Sequence, residues 1–195
     1  MKSFSMKKKL IWLALPLIFV ACNNETKDST EKADSTNTAN RDSAIGENKT
    51  VIDEGSSSFL VKAADGGMTE VQLAQLAQQK AASQRVKDFS SMMVRDHSDA
   101  NDKVKALASQ KNVVLPTSIS DDNQKAIDNM SKKTGKEFDK AFMSKMVDDH
   151  QSTIDMFQKA INNAKDPDVS SFADKTLMTL RMHLDSAKAV RSSLK

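Results

Sequence analysis

The chain is 195 residues long, 28% charged and 5% aromatic, with no tyrosine, one cysteine and a formal net charge of +3. The positive balance belongs to the leader. Lys2 and Lys7 to Lys9 are the only charges before Cys22, and without them 29 basic side chains become 25 against 26 acidic ones. A nearly neutral remainder without tyrosine or tryptophan excludes the basic, aromatic-studded surfaces that bind nucleic acid or stack sugars.

Residues 1–22 read as a lipoprotein export signal. The lysines form a basic n-region, and Leu10 to Val20 form an apolar run too short for the roughly 20 residues of a membrane span. Phe19-Val20-Ala21-Cys22 then resembles a lipobox, although leucine is commoner where Phe19 stands. Cys22 would carry lipid and become the mature N-terminus, anchoring the protein to a membrane of the bacterial envelope. Asn23 rather than aspartate after it favours the outer membrane, facing the periplasm. A lipidated Cys22 leaves no thiol for disulfides, nucleophilic catalysis or thiolate metal sites.

Residues 23–55 are rich in Asn, Thr, Ser, Asp, Glu and Lys, with few large apolar side chains. Such a segment is expected to be a disordered polar tether, spanning roughly 30 Å as a flexible coil. Residues 56–195 amount to one domain, and nothing in them reads as a strand.

A first helix is expected over 57–79, with Gly66-Gly67 as a weak point. Ser83 caps a second, running to about Lys111. Pro116 lies in a connection, after which Ser118 and Asp121 resemble a capping box for a short helix ending near Lys133. Thr134 and Glu137 make another such box, opening a helix to about Ala164. Asp166-Pro167 places a cap before a proline at the first helical position and opens the last helix, to about Ser192.

Apolar stripes decide the fold. Val86, Phe89, Met93, His97, Ala100, Val104 and Leu107 recur at steps of three and four. Phe138, Phe142, Met146, His150, Ile154, Phe157 and Ile161 do the same, as do Val169, Phe172, Thr176, Leu180, His183, Ala187, Val190 and Leu194. Leu60, Ala63, Gly67, Val71 and Ala74 supply a fourth face. Helices of this size are roughly 42 Å long. The prediction is an all-α, ferritin-like four-helix bundle, with a crossover at 112–134 containing a short extra helix.

One unit occurs twice, 53 residues apart: Lys87 to His97 and Lys140 to His150 both read K-x-F-x-x-x-M-V-x-D-H. The third and last histidine, His183, closes the looser Leu180-Arg181-Met182-His183. Each histidine sits inward and near the middle of its helix, so three imidazoles can converge in one layer. Neutral imidazole is the commonest nitrogen ligand, and three can leave one metal position open. Met93 and Met146 lie one turn before their histidines, where thioethers would favour copper over zinc. Asp96 and Asp149, about 100° round the helix, could ligate at the edge or orient a neighbouring helix's imidazole. The residues leave a second reading open, in which an Asp–His layer only fixes helix register and the methionines only fill the core.

Enzymatic motifs are missing. A di-iron centre needs inward glutamates and Glu-x-x-His spacing, and no Glu-x-x-His occurs. No G-x-S-x-G elbow, phosphate loop or H-E-x-x-H helix occurs either. The expectation is a non-enzymatic domain that binds a metal or small ligand.

Phe59-Leu60-Val61-Lys62-Ala63-Ala64-Asp65-Gly66-Gly67-Met68-Thr69-Glu70-Val71, the two M-V-x-D-H units and Thr176 to Leu184 stand in an order that resembles a known family. It is the ferritin-like bacterial envelope proteins called domain of unknown function 4142, often labelled predicted outer-membrane proteins. The resemblance covers roughly Ser58 to Ala187 and implies a helical bundle in the envelope, with no established activity. Met178 stands where the family usually has proline, so a kink there is not expected. A more distant likeness to copper-linked periplasmic helical proteins carrying histidine-methionine motifs supports a metal by analogy.

Overall fold

The computed structural model describes residues 27–46 and 52–194; the leader and Cys22, with its expected lipid, lie outside them. Among the described residues there are six helices and no strand: α1 (Ser29–Gly46), α2 (Glu54–Lys80), α3 (Gln84–Gln110), α4 (Asp121–Ser131), α5 (Gly135–Asn163) and α6 (Pro167–Ser193).

The first helix corrects the expected tether. Asp28 opens α1 by accepting from the backbone N–H groups of Thr30 and Glu31, each at 2.9 Å. The helix buries little apolar surface, chiefly Ala33, and polar bonds supplement that contact. Asn37 accepts from Val114 N at 2.8 Å and donates to Val114 O at 2.9 Å. Ser29 Oγ accepts from Thr117 N at 3.0 Å and Ser118 N at 3.2 Å. Each such bond contributes about 1 kcal/mol net, a term that an argument from apolar content leaves out.

Helices α2, α3, α5 and α6 form the bundle, and short connections make α2/α3 and α5/α6 antiparallel pairs. The bundle's polarity follows from two contacts. Asp139, in the first turns of α5, accepts from Ala82 N at 3.0 Å and Ser83 N at 2.8 Å, where α2 gives way to α3. At the opposite end, Lys111 pairs with Asp166 at 2.8 Å and Asp168 at 2.6 Å, where α6 begins. Thus α3 and α5 run parallel, and the crossover carrying α4 climbs the length of the bundle. This is the ferritin-like arrangement expected from the length of the connection.

Several helix starts differ in detail from the sequence reading. α4 opens after Ser120 rather than Ser118. Its cap comes from α2, where Asp65 accepts from Ser120 N at 2.7 Å and from the Asn123 amide at 2.8 Å. Ser83 and Thr134 make no side-chain cap bond; Asp139 serves the first start, and Glu137 pairs with Lys133 instead of closing a box. At α6 the expected cap forms, with Asp166 accepting from Asp168 N at 2.9 Å and Val169 N at 3.2 Å.

Gly66-Gly67 is no break, and α2 passes straight through it. A Cβ built at Gly67 would lie 2.0 Å from Asn101 Oδ1, whereas one at Gly66 would meet nothing within 4 Å. Gly67 therefore makes room for the Asn101 side chain of α3 against α2. α6 is likewise unbroken at Met178, which stands 77% exposed.

The core has two aromatic clusters. Phe89, Phe138 and Phe142 gather toward one end, with centroid distances of 6.3 and 5.7 Å. Phe59, Phe157 and Phe172 gather toward the other, at 4.9 to 6.3 Å. Between them, at mid-height, lies a polar layer.

Candidate metal centre

His97 is the central residue of α3, while His150 and His183 are near the centres of α5 and α6. Side-by-side packing brings them to one level. Their exposures are 5%, 0% and 1%, and their ring centroids are 5.6, 5.2 and 5.5 Å apart. One ring nitrogen of each lies within 4.8 Å of the others. A metal with bonds of about 2.0–2.1 Å would want these nitrogens roughly 3.3 Å apart, so small ring rotations would close the site.

Each imidazole spends its other nitrogen on an acceptor. His97 Nδ1 faces Glu70 Oε2 at 3.0 Å, His150 Nδ1 faces Met146 O at 2.8 Å, and His183 Nε2 faces Asp96 Oδ2 at 2.9 Å. These acceptors fix which nitrogen of each ring turns inward. The inward nitrogens His97 Nε2, His150 Nε2 and His183 Nδ1 are then left buried, with no hydrogen-bond partner among the described residues. Outward N–H and inward lone pair is the polarity that metal-ligating histidines adopt.

Charge follows the same geometry. Burial would raise the Glu70 carboxyl, but the charge and hydrogen bond of His97, with help from His150 and His183, hold it down to about 2. Burial lowers His97, and Glu70 more than reverses that, so its pKa rises. Burial lowers His150 and His183, and the neighbouring imidazoles lower them further, against the opposing pull of Glu70 and Asp96. Two of the three rings are thereby kept in the neutral form that a metal needs.

The expected site residues divide. His97, His150 and His183 come together. Asp96 reaches across to the imidazole of another helix, with Arg95 Nε donating to its second oxygen at 2.8 Å. Asp149 does not take the matching place: it pairs with Lys145 at 3.1 Å, one turn away on its own helix, and burial raises its pKa. Met93 and Met146 are fully buried among core side chains on one face of the layer. A cavity of about 50 Å³ lies on the other face, beside Glu70, Asp96, His97 and His183, and neither methionine lines it.

Glu70 is the participant that the sequence reading missed. Steps of three and four from Leu60 reach Glu70 as readily as Val71, and apolarity favours Val71. In the structure Glu70 and Leu73 are buried and Val71 is only half-buried. The available signal was a glutamate one turn after Gly67, in a domain with few glutamates.

Comparison with solved structures finds the same fold in proteins of low identity. A DUF305 fragment from Deinococcus radiodurans matches with a TM-score of 0.66 at 14% identity, over 74% of this chain and 100% of that one. CopM in its Cu(II)-bound form matches with a TM-score of 0.62 at 17% identity, over 72% and 97%. Its Cu(I)-bound form gives 0.58 at 20% identity, over 69% and 93%. No curated protein matches the chain. The family described as Domain of unknown function (DUF4142) matches residues 43–190, spanning both M-V-x-D-H units and His183. The chain belongs to the DUF4142 family.

Proposed function

We propose that this protein is a non-enzymatic lipoprotein of the bacterial envelope whose bundle binds one transition-metal ion, copper or zinc, at His97, His150 and His183. The observation that carries the reading is the set of three buried inward ring nitrogens, within reach of one another and with no hydrogen-bond partner among the described residues. A buried polar atom left unpaired costs about 1–3 kcal/mol, and the two neutral rings turn facing acceptors toward each other as well. A cation among them removes both costs. Imidazole suits copper and zinc alike. CopM, a protein of this fold described in copper-bound and silver-bound forms, makes copper the first metal to test.

The anchored location rests on Lys7 to Cys22, and among the described residues no helix is long and apolar enough to cross a membrane. Replacing Cys22 with serine should release the protein from the membrane fraction. Membrane retention of that variant would remove the lipid from the account.

Elemental analysis after copper or zinc loading and desalting tests the metal reading, with about one ion per chain expected. The variant lacking all three imidazoles should retain none. A second reading, a polar layer that only sets helix register, draws on the Glu70–His97 and Asp96–His183 pairs. It is the survivor if metal content stays far below one or ignores the histidines.

A further inference from the structure

We propose that the cavity against the histidine layer is a subsite for a small ligand, of up to about three or four atoms, with a lone pair for the metal and a proton to donate. Water, hydroxide and peroxide belong to this class. The inference rests on the metal reading above and specifies what the ion would bind besides protein.

The layer has unlike faces. Met93, Met146 and Phe142, all fully buried, lie on one side of it. The other opens on the cavity of about 50 Å³, where a single water needs roughly 10–15 Å³. An ion held by three imidazoles keeps a position free, and only the cavity side has room for what fills it. The volume is far below the roughly 300 Å³ at which pockets for larger organic ligands begin, so a metabolite is excluded.

The lining selects a proton donor. Glu70 borders the cavity and keeps Oε1 buried, with no hydrogen-bond partner among the described residues. His150 Nδ1 lies 3.5 Å from that oxygen but already has Met146 O at 2.8 Å. A ligand on the ion could donate to Oε1. Asn101 also borders the cavity, and its place there depends on Gly67, because a Cβ at that glycine would fall 2.0 Å from Asn101 Oδ1.

The cavity lies one layer of side chains from the surface. Asp96, Ala100, Phe172, Thr176 and Thr179 line both the cavity and an outer groove of about 530 Å³ between α3 and α6. Ala100 and Thr179 stand between the two, where a ligand would enter, without holding any of the three imidazoles. Larger side chains there should block exchange while leaving the metal in place.

The test is an azide titration of the Cu(II)-loaded protein, followed by the near-ultraviolet charge-transfer band, with copper content measured on each sample. Azide serves as a probe of the same size that competes for the open position. An azide band at constant copper content is expected. Ala100→Leu, or Thr179→Leu should the first variant fold poorly, should slow the appearance of the azide band after mixing at least about tenfold. Ala106→Leu, in the outer groove alone, should leave that rate unchanged. Water-proton relaxation by the bound copper should fall as azide replaces the resident protic ligand. Full copper content with no azide band, or a band indifferent to both plugs, overturns the subsite alone. Absence of copper removes the metal reading and the subsite together.

Discussion

At the scale of single residues, Glu70 and His97 carry most of the electrostatics of the layer. Their pair is buried on both sides, so removing one partner strands the other. His97→Ala should destabilise the metal-free protein by about 3–5 kcal/mol in denaturant unfolding, because a carboxylate would remain in the core uncompensated. Glu70→Gln should act chiefly on metal affinity. It keeps an acceptor beside His97 Nδ1 but loses the charge that makes the imidazole a stronger ligand, and a fall of about 10–100-fold by calorimetric titration is expected. An unchanged isotherm would reduce Glu70 to packing. The histidines themselves were legible from the repeated K-x-F-x-x-x-M-V-x-D-H unit, since an inward stripe and a midpoint position place a side chain along two coordinates. Glu70 and Asp149 were not. Choosing Val71 over Glu70 and predicting Asp149's partner both turn on helix rotation of a few tens of degrees, which periodicity does not resolve.

At the scale of elements, the two adjacent glycines of α2 make a paired test. Gly67→Ala drives a methyl into Asn101 and should lower stability by about 1–3 kcal/mol, the usual cost of overpacking. Gly66→Ala meets no neighbour and should stabilise by about 0.5–1 kcal/mol through helix propensity. Equal effects would contradict the seating of Asn101 against Gly67. The α6 cap gives a pH prediction. Burial raises the Asp166 carboxyl, but Lys111 and the N–H groups of Val169 and Asp168 pull it below its ordinary value. A depressed carboxyl stabilises the fold above its unfolded pKa of about 3.9, and that stability is lost as pH falls through the folded value. Asp166→Asn keeps a capping oxygen and should therefore show a flatter acid limb below about pH 4 in melting experiments. Helix α6 was legible because its cap lies in its own sequence. The start of α3 at Ser83 was legible as well, although Asp139 makes the bonds there; the start of α4, served by Asp65, was not, and α1 escaped because its anchors are backbone groups of residues 114–118.

At the scale of the molecule, parallel α3 and α5 fit the twofold occurrence of the M-V-x-D-H unit. Two helices that run the same way present the same residue at the same height, so a repeated sequence yields a shared layer. The antiparallel α6 joins through its midpoint, and α2 closes the ring with Glu70. The long crossover is what permits this polarity, and its length announced it in the sequence. Phenylalanine clusters above and below leave the layer only the small cavity beside it, and the low dielectric around them strengthens the charge interactions within it.

X-ray absorption at the copper edge of the loaded protein tests the central claim most directly. The account predicts imidazole nitrogens at about 2.0 Å from three histidines, falling by one in His97→Ala. A spectrum that is unchanged when all three histidines are replaced would contradict it.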